Sequence, residues 1–383
     1  MSTPGIIDAP GMLIIGSAGR NSGKTEFATR LIAKFADSPG IIAAKATAVD
    51  RTDGSCPRGG SGCGVCSSLN EDFLITEECD IEGDKDTCRL LAAGAERVYW
   101  LRVLKSKMKK GFTQLQNSIE PGVAWICETN SLRHAVRPDL FLMVMNNEKQ
   151  EIKKSASEVI EHTDAIITSD PANSSFDLDM SRLSINNGRW AMKSDATAII
   201  LAGGRSKRMQ TDKAMLPVGG VPMIRRIAHT LAPHFDDTLL SVRAASDYTD
   251  FDMATVPDIE PDKGPLMGIA SALAASKSEI NFVTACDIPE IDIPTVRLML
   301  REIKGYDVVV PRISESRLQP LFAVYRRSIS AKARQLVNDG ARKIRELFDH
   351  CRVKYIDCPL AVEQMNLNTR EDYEAYIRGG ENK

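Results

Sequence analysis

The sequence has no apolar run that approaches the roughly 20 residues a membrane-spanning helix needs, and its start, MSTPGIIDAPG, lacks the basic residues of a signal peptide. It also has no basic excess, because 49 lysines and arginines stand against 51 aspartates and glutamates, giving a formal net charge of −2. A general nucleic-acid-binding protein needs such an excess to neutralise a phosphate backbone. We therefore expect a cytoplasmic protein that binds neither membranes nor nucleic acid.

The length of the chain makes two domains a better expectation than one. It has 383 residues, 43% of them hydrophobic and 26% charged, which is ordinary globular composition with material for two cores. No internal repeat links its halves. The composition does not fix the oligomeric state.

Residues 197–217, TAIILAGGRSKRMQTDKAMLP, combine a buried strand with a loop of phosphate size. The aliphatic run 197–201 predicts the strand, and Gly203 and Gly204 let the backbone turn and bring its N–H groups close to an anion. The cations that follow are Arg205, Lys207, Arg208 and Lys213. A solvated surface loop could carry the same charges, so the pattern alone leaves both readings open.

Further along the second half, two aspartates follow extended segments. Asp258 comes after Val256-Pro257, and Asp287 comes after the predicted strand 281–285 and before Pro289. A carboxylate at the end of a strand is well placed to hold Mg²⁺ at the open edge of a doubly wound sheet. Such an aspartate is also common as a helix cap or turn former, so the position alone does not decide.

The first half begins with a similar arrangement. A short strand at 12–15 precedes GSAGRNSGKT, residues 16–25, and a helical pattern runs on through Phe35. In a phosphate-binding loop at a helix N-terminus, Lys24 would reach the β- and γ-oxygens and Thr25 would ligate Mg²⁺. The residues predicted to bind nucleotide here are Asn21, Ser22, Gly23, Lys24 and Thr25.

The rest of the first half alternates predicted strands with helices, which indicates a parallel sheet with covered faces. The strands are expected at 40–47, 97–103, 123–128, 139–145 and 164–168, and helices at 85–94 and 151–161. Glu128 ends one of these strands, where a carboxylate would serve a nucleotide-bound magnesium or an attacking water. A charged strand end that faces solvent is the alternative.

A glycine-rich insert carries the cluster Cys56-x6-Cys63-x2-Cys66, followed by Cys79 and Cys88. The nine cysteines are odd in number and clustered in a large chain, which argues against disulfides. Thiolates this close can bind one ion, with Cys79 or Cys88 as a fourth ligand, and the spacing does not separate zinc from an iron–sulfur cluster. A mobile reduced loop is the alternative, and Cys88 lies in a predicted helix where it would be a core residue.

The predicted boundary between the domains lies near residue 194. Before it, the Asn-Asn-Gly turn predicts a short hairpin of RLSI against RWAM. We therefore expect an α/β protein of two doubly wound domains, an N-terminal P-loop NTPase-like domain at 1–194 and a C-terminal Rossmann-like nucleotidyltransferase domain at 195–383.

The string LAGGxSxRMxxDKA resembles the signature loop of the sugar-phosphate-type nucleotidyltransferases, in particular the molybdenum cofactor guanylyltransferases. Members of this group that use CTP usually have LAAG at this place. This chain has Leu201-Ala202-Gly203-Gly204, so the resemblance favours GTP over CTP. Further elements stand here in the order of that family, as Asp212-Lys213, Asp258, Gly264-Pro265-Leu266, Cys286-Asp287-Ile288-Pro289, Gly340-Ala341-Arg342-Lys343-Ile344 and Asn366-Leu367-Asn368-Thr369. The resemblance covers residues 197–378.

This resemblance implies transfer of GMP from GTP to molybdopterin with release of pyrophosphate. Lys213 and Asp287 would be catalytic, with Asp287 carrying Mg²⁺. The residues that it implies at the nucleotide are Leu201, Ala202, Gly203, Gly204, Arg205, Asp258 and Gly264, and those at the acidic pterin acceptor are Arg342, Lys343 and Asn368.

Residues 11–170 resemble the small P-loop GTP-binding proteins that accompany these guanylyltransferases. The matching segments are 21–25, DKDTCRLLAAGA at 84–95 and CETNSLRHAVRPDLFLMVMN at 127–146. The resemblance implies a domain that binds and hydrolyses GTP in support of its neighbour, with molybdoenzyme maturation proteins as further partners.

Two alternatives remain open at this point. One is a cytidylyltransferase for the same cofactor. The other is a nucleotide-dependent metal-sensing protein with an inactive transferase domain, which gains support from Gln210 and Ser241, where the family has Gly and Asn.

Overall fold

The structure, a computed structural model, describes residues 5–36, 40–50, 69, 71–147, 152–203, 212–248, 251, 253–314, 317–357, 366–367 and 369–380. The chain divides into two compact units, with the division between Met192 and Lys193. No helix in the described ranges is long and apolar enough to cross a membrane.

The first unit is an α/β structure. Its strands are β1 (Ile7–Ser17), β2 (Ile42–Val49), β3 (Phe73–Glu77), β4 (Arg97–Leu104), β5 (Trp125–Glu128), β6 (Val136–Asn146), β7 (Ala165–Asp170), β8 (Ser175–Phe176), β9 (Leu183–Asn186) and β10 (Arg189–Met192). Its α-helices are α1 (Lys24–Lys34), α2 (Asp86–Ala92), α3 (Met108–Asn117) and α4 (Lys154–Ser157).

Eight of these strands form one sheet in the order β3-β4-β2-β5-β1-β6-β7-β8. The six inner strands run parallel, and only β3 and β8, at the two edges, are antiparallel to their neighbours. Successive residues of β1 point to opposite faces: Ile14 belongs to the core cluster that contains Phe112 of α3, and Leu13 belongs to the one that contains Phe27 of α1. The predicted parallel sheet with both faces covered is confirmed for this unit.

The hairpin of β9 and β10 closes as predicted, with Trp190 opposite Ile185. Asn187 and Gly188 both have positive φ, 50° and 70°, which is the backbone that a two-residue hairpin turn requires. The hairpin is held to the sheet by Asp139 of β6, which accepts hydrogen bonds from the backbone N–H of Trp190 at 3.1 Å and from the Arg189 guanidinium.

The second unit is also α/β. Its strands are β11 (Ser194–Leu201), β12 (Pro217–Val218), β13 (Val221–Pro222), β14 (Phe235–Val242), β15 (Ala254–Pro257), β16 (Ile280–Ala285), β17 (Val308–Ser314), β18 (Arg317–Leu318), β19 (Phe322–Arg326) and β20 (Val353–Asp357). Its α-helices are α5 (Met223–Leu231), α6 (Pro265–Ala275), α7 (Ile293–Glu302), α8 (Ser330–Asn338), α9 (Arg345–Phe348) and α10 (Arg370–Gly380).

The main sheet of this unit has the order β15-β14-β11-β16-β19-β17-β18, with β20 beside β17. Strands β15, β14, β11 and β16 run parallel, whereas β19 is antiparallel to both of its neighbours, so the sheet is mixed. Helices cover both faces: Ile200 lies in the cluster that contains Ile227 of α5, and Ile199 lies in the one that contains Ile269 of α6.

The helix predicted over 151–161 is wrong in extent. The structure has α4 over four residues only, followed by a short 3₁₀ turn at Ile160–His162. Lys153 is extended, and its backbone N–H donates to the carbonyl of Ala18 at 2.8 Å, so this tertiary contact delays the start of the helix. Strand β3 and helix α3 were not predicted.

Candidate functional site

The candidate site of the second unit lies where four parallel strands end. Leu201 at the end of β11 is in register with Ser241 of β14 and with Ala285 of β16, and Val242 is in register with Pro257 of β15. Parallel strands bring their carboxyl ends to the same edge, where open α/β sheets bind ligands. The residues that follow these strands therefore meet at one edge.

Backbone hydrogen bonds fix the start of the glycine loop at this edge. The N–H of Ala202 donates to the Ser241 carbonyl at 2.9 Å, and the N–H of Cys286 donates to the Leu201 carbonyl at 3.1 Å. A Cβ on Gly203 would lie 3.3 Å from the backbone nitrogen of Arg243, so this position has little room for a side chain. Gly204, Arg205 and Gln210 lie outside the described residues.

Lys213 and Asp287 come together at this edge from distant parts of the chain. Lys213 Nζ lies 3.7 Å from Asp287 Oδ2 and donates to the Leu367 carbonyl at 2.9 Å. Burial raises the pKa of Asp287 and the nearby Lys213 ammonium partly opposes that shift. The pair is therefore a partly desolvated charge pair, and Leu367 is a backbone partner that sequence reasoning did not identify.

The residue before Lys213 has a partner of its own. Asp212 Oδ2 accepts a 2.6 Å hydrogen bond from the Tyr248 hydroxyl, and Asp212 Oδ1 accepts from the backbone N–H of Ala214 at 3.0 Å. Burial, and next the hydrogen bond to Asp212, raise the pKa of Tyr248, so its hydroxyl keeps the proton that it donates. No pattern around Tyr248 in the sequence indicated this role.

Asp258 lies beside the start of α6. Burial and the nearby carboxylate of Asp262 raise the pKa of Asp258 to about 6. A Cβ on Gly268 would lie 3.4 Å from Asp258 Oδ1 and 3.2 Å from Ser241 Oγ, so the bare backbone of α6 lets it approach both groups. Gly264 has φ of 91°, a conformation that favours glycine, and it caps the helix immediately before Pro265.

The basic residues predicted to meet the acceptor lie on a turn between α8 and α9. Arg342 and Lys343 are exposed, and their backbone N–H groups donate to Glu346 Oε1 at 3.2 and 2.8 Å. The Arg342 carbonyl lies 3.7 Å from the position of a Cβ on Gly264, which puts this turn next to the start of α6. Asn368 lies outside the described residues.

In the first unit, β1 runs into a loop at 18–23 and α1 begins at Lys24. Asn21 and Gly23 have positive φ, 55° and 78°, and Gly23 forms the left-handed N-cap of α1. The Ser169 hydroxyl donates to the Ser22 carbonyl at 2.8 Å, which ties the loop to the end of β7. The five predicted residues, 21–25, therefore form one turn at a helix N-terminus.

Lys24 and Glu128, which are far apart in sequence, are in contact. Lys24 Nζ lies 3.2 Å from Glu128 Oε2, and the Glu128 side chain is fully buried. Among the described residues, Oε1 of Glu128 has no hydrogen-bond partner. The alternative of a carboxylate that faces solvent is therefore wrong for Glu128.

A cleft of about 1350 Å³ opens in front of this loop. Its lining includes Ser22, Lys24 and Thr25, and six cations lie among the lining residues that the structure describes: Arg20, Lys24, Lys45, Arg89, Lys153 and Lys154. Such a lining suits an anion with several charges. No sequence pattern indicated Lys45 and Lys153, which the fold brings to the loop.

Three of the four predicted cysteine ligands, Cys56, Cys63 and Cys66, lie outside the described residues. The fourth, Cys79, is exposed, and Cys88 is buried within α2. Burial and the carboxylate of Glu78 raise the pKa of Cys88, so this thiol stays protonated. Within the ranges that the structure covers, no three histidine, cysteine or acidic residues are grouped to hold a metal ion.

Comparisons with known proteins identify one part of the chain. Residues 198–354 match the model of the MobA-like NTP transferase domain. A protein of Pelotomaculum thermopropionicum named "Probable molybdenum cofactor guanylyltransferase" is 36% identical over 184 residues, 46% of this chain and 89% of that protein. One of the same name from Haloferax mediterranei is 32% identical over 166 residues, 42% of this chain and 79% of that protein.

Among solved structures, molybdopterin-guanine dinucleotide biosynthesis protein A from Archaeoglobus fulgidus is similar with a TM-score of 0.44 and 20% identity, covering 49% of this chain and 100% of that one. The sequence relatives are matched over most of their own length, and the family model lies wholly within the second unit. The chain therefore belongs to the molybdenum cofactor guanylyltransferase family and is a nucleotidyltransferase.

Proposed function

We propose that the second unit transfers GMP from GTP to molybdopterin and releases pyrophosphate. One observation carries this assignment beyond the family relationship: Lys213 and Asp287 lie 3.7 Å apart at the strand edge where the glycine loop begins. A cation and a carboxylate at such an edge are the groups that a triphosphate and its counter-ion need. The relatives named above supply the identity of the two substrates.

In the proposed reaction a phosphate oxygen of molybdopterin attacks the α-phosphorus of GTP. The bond from that phosphorus to the bridging oxygen breaks, and the electron pair leaves with pyrophosphate. Positioning and neutralisation of charge are the main demands of this chemistry. We assign Lys213 to the triphosphate and the backbone N–H groups of 203–205 to its oxygens, with Leu201, Ala202 and Gly203 against the nucleotide. The N–H of Ala202 is not among these donors, because it is already bonded to the Ser241 carbonyl.

Asp287 would hold the magnesium ion of this reaction. Its carboxylate is a hard oxygen donor with a side chain 24% exposed, so it is desolvated but open on one side. Burial raises the pKa of this carboxyl, and a bound cation would lower it again because it stabilises the charged form. When bound, magnesium would neutralise charge on the triphosphate.

We assign Asp258 to the base, because an ionised carboxylate can accept hydrogen bonds from the N1–H and the 2-amino group of guanine. Cytosine has no matching pair of donors, which is the physical reason to expect GTP rather than CTP. Gly264 would let the start of α6 approach the nucleotide. Arg342, Lys343 and Asn368 remain our candidates for the acidic acceptor.

The test is pyrophosphate release by the full chain with Mg²⁺ and molybdopterin, comparing GTP with CTP. Release with GTP alone supports the proposal. Release with CTP alone would replace it with the cytidylyltransferase. Binding of GTP without release with either nucleotide would favour the metal-sensing alternative with an inactive transferase domain.

We further propose that the first unit binds a nucleoside triphosphate, GTP by the same resemblance, and supports its neighbour by slow hydrolysis. The observation that favours this second function is the contact of Lys24 with the buried Glu128 in front of a cation-rich cleft. Thr25 and Glu128 would hold magnesium there, because Oε1 of Glu128, which has no hydrogen-bond partner in the part of the chain that the structure describes, suits a cation. Magnesium would supply charge neutralisation at the terminal phosphates.

This second function can be measured separately. All three tryptophans, Trp100, Trp125 and Trp190, belong to the first unit, so tryptophan fluorescence reports on that unit. We expect GTP to change the fluorescence of the full chain, and Lys24→Ala to abolish the change. Lys110→Ala, an exposed lysine on α3, is the matched control. A change that survives Lys24→Ala would exclude this site.

A further inference from the structure

Asp86 lies in the cleft of the first unit without a role in the functions proposed so far. It is the first residue of α2 and lines the cleft together with Lys24 and Thr25. Its carboxylate forms an ion pair with Lys45, and against the effect of burial the nearby Thr25 hydroxyl helps to lower the pKa of Asp86 after the larger effect of Lys45. Asp86 therefore lines the same cleft as Thr25, the residue already assigned to magnesium.

A second observation comes from the neighbouring strands. Lys45 of β2 and Glu128 of β5 are register partners in parallel strands, so their side chains leave the sheet on the same face. Glu128 is fully buried, and its Oε1 has no hydrogen-bond partner among the described residues. A buried carboxylate oxygen of this kind is costly unless a cation or donor reaches it.

Two ion pairs lie in the part of the cleft that contains Thr25. Lys24 neutralises Glu128, and Lys45 neutralises Asp86. A bound triphosphate would draw Lys24 to its own oxygens, and Glu128 would then lose its counter-ion. The carboxylates of Asp86 and Glu128 and the hydroxyl of Thr25 would then remain to hold the ion, and oxygen donors of these kinds are what Mg²⁺ prefers.

We propose that Asp86 is a ligand of the divalent cation in this cleft, together with Thr25 and Glu128, and that Lys45 is the counter-ion of Asp86 before the cation binds. The inference rests on the proposed nucleotide binding by the first unit. Asp86 would be a carboxylate ligand that lies outside both the glycine loop and the strand ends. It also gives Lys45 a defined role, which is to compete with the cation for Asp86.

The test measures Mn²⁺ binding by electron paramagnetic resonance of the free ion, on the full chain with GTP present. All proteins carry Asp287→Asn, which silences the ion site proposed for the second unit. We expect Asp86→Asn to weaken Mn²⁺ binding by at least about tenfold, while GTP binding measured in EDTA changes less than about twofold. Asp84→Asn, an exposed aspartate two residues earlier, is the control and should bind Mn²⁺ normally.

Lys45→Met distinguishes two roles for Asp86. Asp86 is either a ligand of the cation or a residue that only holds Lys45 in place. If Asp86 is a ligand, removal of its counter-ion should leave Mn²⁺ binding intact or tighten it. If Asp86 merely positions Lys45, then Lys45→Met and Asp86→Asn should weaken Mn²⁺ binding alike, and this would overturn the inference. Normal Mn²⁺ binding by Asp86→Asn would also overturn the inference that Asp86 is a ligand. Absence of Lys24-dependent GTP binding in the parent chain would instead refute the proposed nucleotide site.

Discussion

Lys213 and Asp287 are joined both directly and through a third residue. Their side chains lie 3.7 Å apart, and Leu367 accepts a hydrogen bond from Lys213 Nζ at 2.9 Å while its own N–H donates to the backbone carbonyl of Asp287 at 2.9 Å. Leu367 is itself buried in the core of the second unit. The pair is thus fixed before any substrate binds, which is the condition for electrostatic catalysis without reorganisation.

Removing either member of this pair should abolish transfer without unfolding the protein. We expect Lys213→Met and Asp287→Asn each to lower the kcat for pyrophosphate release by about 100-fold or more, because charge stabilisation at a preorganised site is lost. The exposed residues Lys277 and Glu290 provide the controls Lys277→Met and Glu290→Gln. Activity within a few-fold of the parent in either test variant would contradict the assignment.

The raised pKa of Asp258 predicts a dependence on pH. The folded pKa of about 6 lies above the ordinary value of about 3.9, so the neutral form is favoured in the folded state. The neutral Asp258 carboxyl therefore stabilises the folded state fully below about pH 4, and this contribution is lost as the pH rises through about 6. Calorimetry should therefore show Asp258→Asn gaining Tm relative to the parent chain between pH 4 and pH 7.

The same ionisation should control binding of GTP to the second unit. Only the charged carboxylate accepts both guanine donors, so affinity in the parent chain should increase as the pH rises through about 6. Asp258→Asn should show weak binding with no such rise. The measurement belongs in a Lys24→Ala background, so that the first unit does not contribute, and a parallel pH profile in both proteins would contradict the role of Asp258.

Tyr248 is predicted to position Lys213, the lysine proposed to be catalytic, through Asp212. Tyr248→Phe removes the 2.6 Å hydrogen bond that holds Asp212, the residue that caps the turn of Lys213. The loss of one hydrogen bond should lower kcat by about 2- to 10-fold with little change in the KM for molybdopterin. Tyr355→Phe, at an exposed tyrosine, is the control, and equal kcat values for the two variants would argue against positioning by Tyr248.

Asp139 should be a main determinant of stability in the first unit. It is buried and accepts hydrogen bonds from the backbone N–H groups of Gly11 and Trp190 as well as from Arg189. Asp139→Ala would leave the two buried backbone donors, the N–H groups of Gly11 and Trp190, unpaired and should lower the free energy of unfolding by about 3–5 kcal/mol.

Arg189→Ala is the matched control for this prediction. Its guanidinium is 59% exposed, and Asp139 would keep its two backbone donors, so the loss should be about 1 kcal/mol or less. Denaturant unfolding followed by tryptophan fluorescence measures both variants in the first unit. Similar losses in the two variants would show that the backbone donors do not need Asp139.

The sequence by itself determined the strands and the turns that carry the candidate residues. Apolar runs at 12–15 and 197–201 predicted β1 and β11, because local hydrophobicity decides that such segments are buried. The Asn-Asn-Gly turn predicted the β9–β10 hairpin, because Asn187 and Gly188 tolerate positive φ. The motif resemblance predicted the family, because it depends on residue types and their order.

Only the tertiary structure decided which side chains meet. The pairs Lys213–Asp287, Lys24–Glu128 and Lys45–Asp86 join residues on separate elements, and the order of strands in each sheet sets their distances. Tyr248 gave no signal, and the element at 366–369 did not single out Leu367. The atoms that contact Asp212 and Lys213 are a hydroxyl and a backbone carbonyl, which are placed by packing rather than by a local pattern. Local sequence fixes backbone preference, whereas contacts between distant residues depend on how the sheet is assembled, and this assembly is a property of the whole unit.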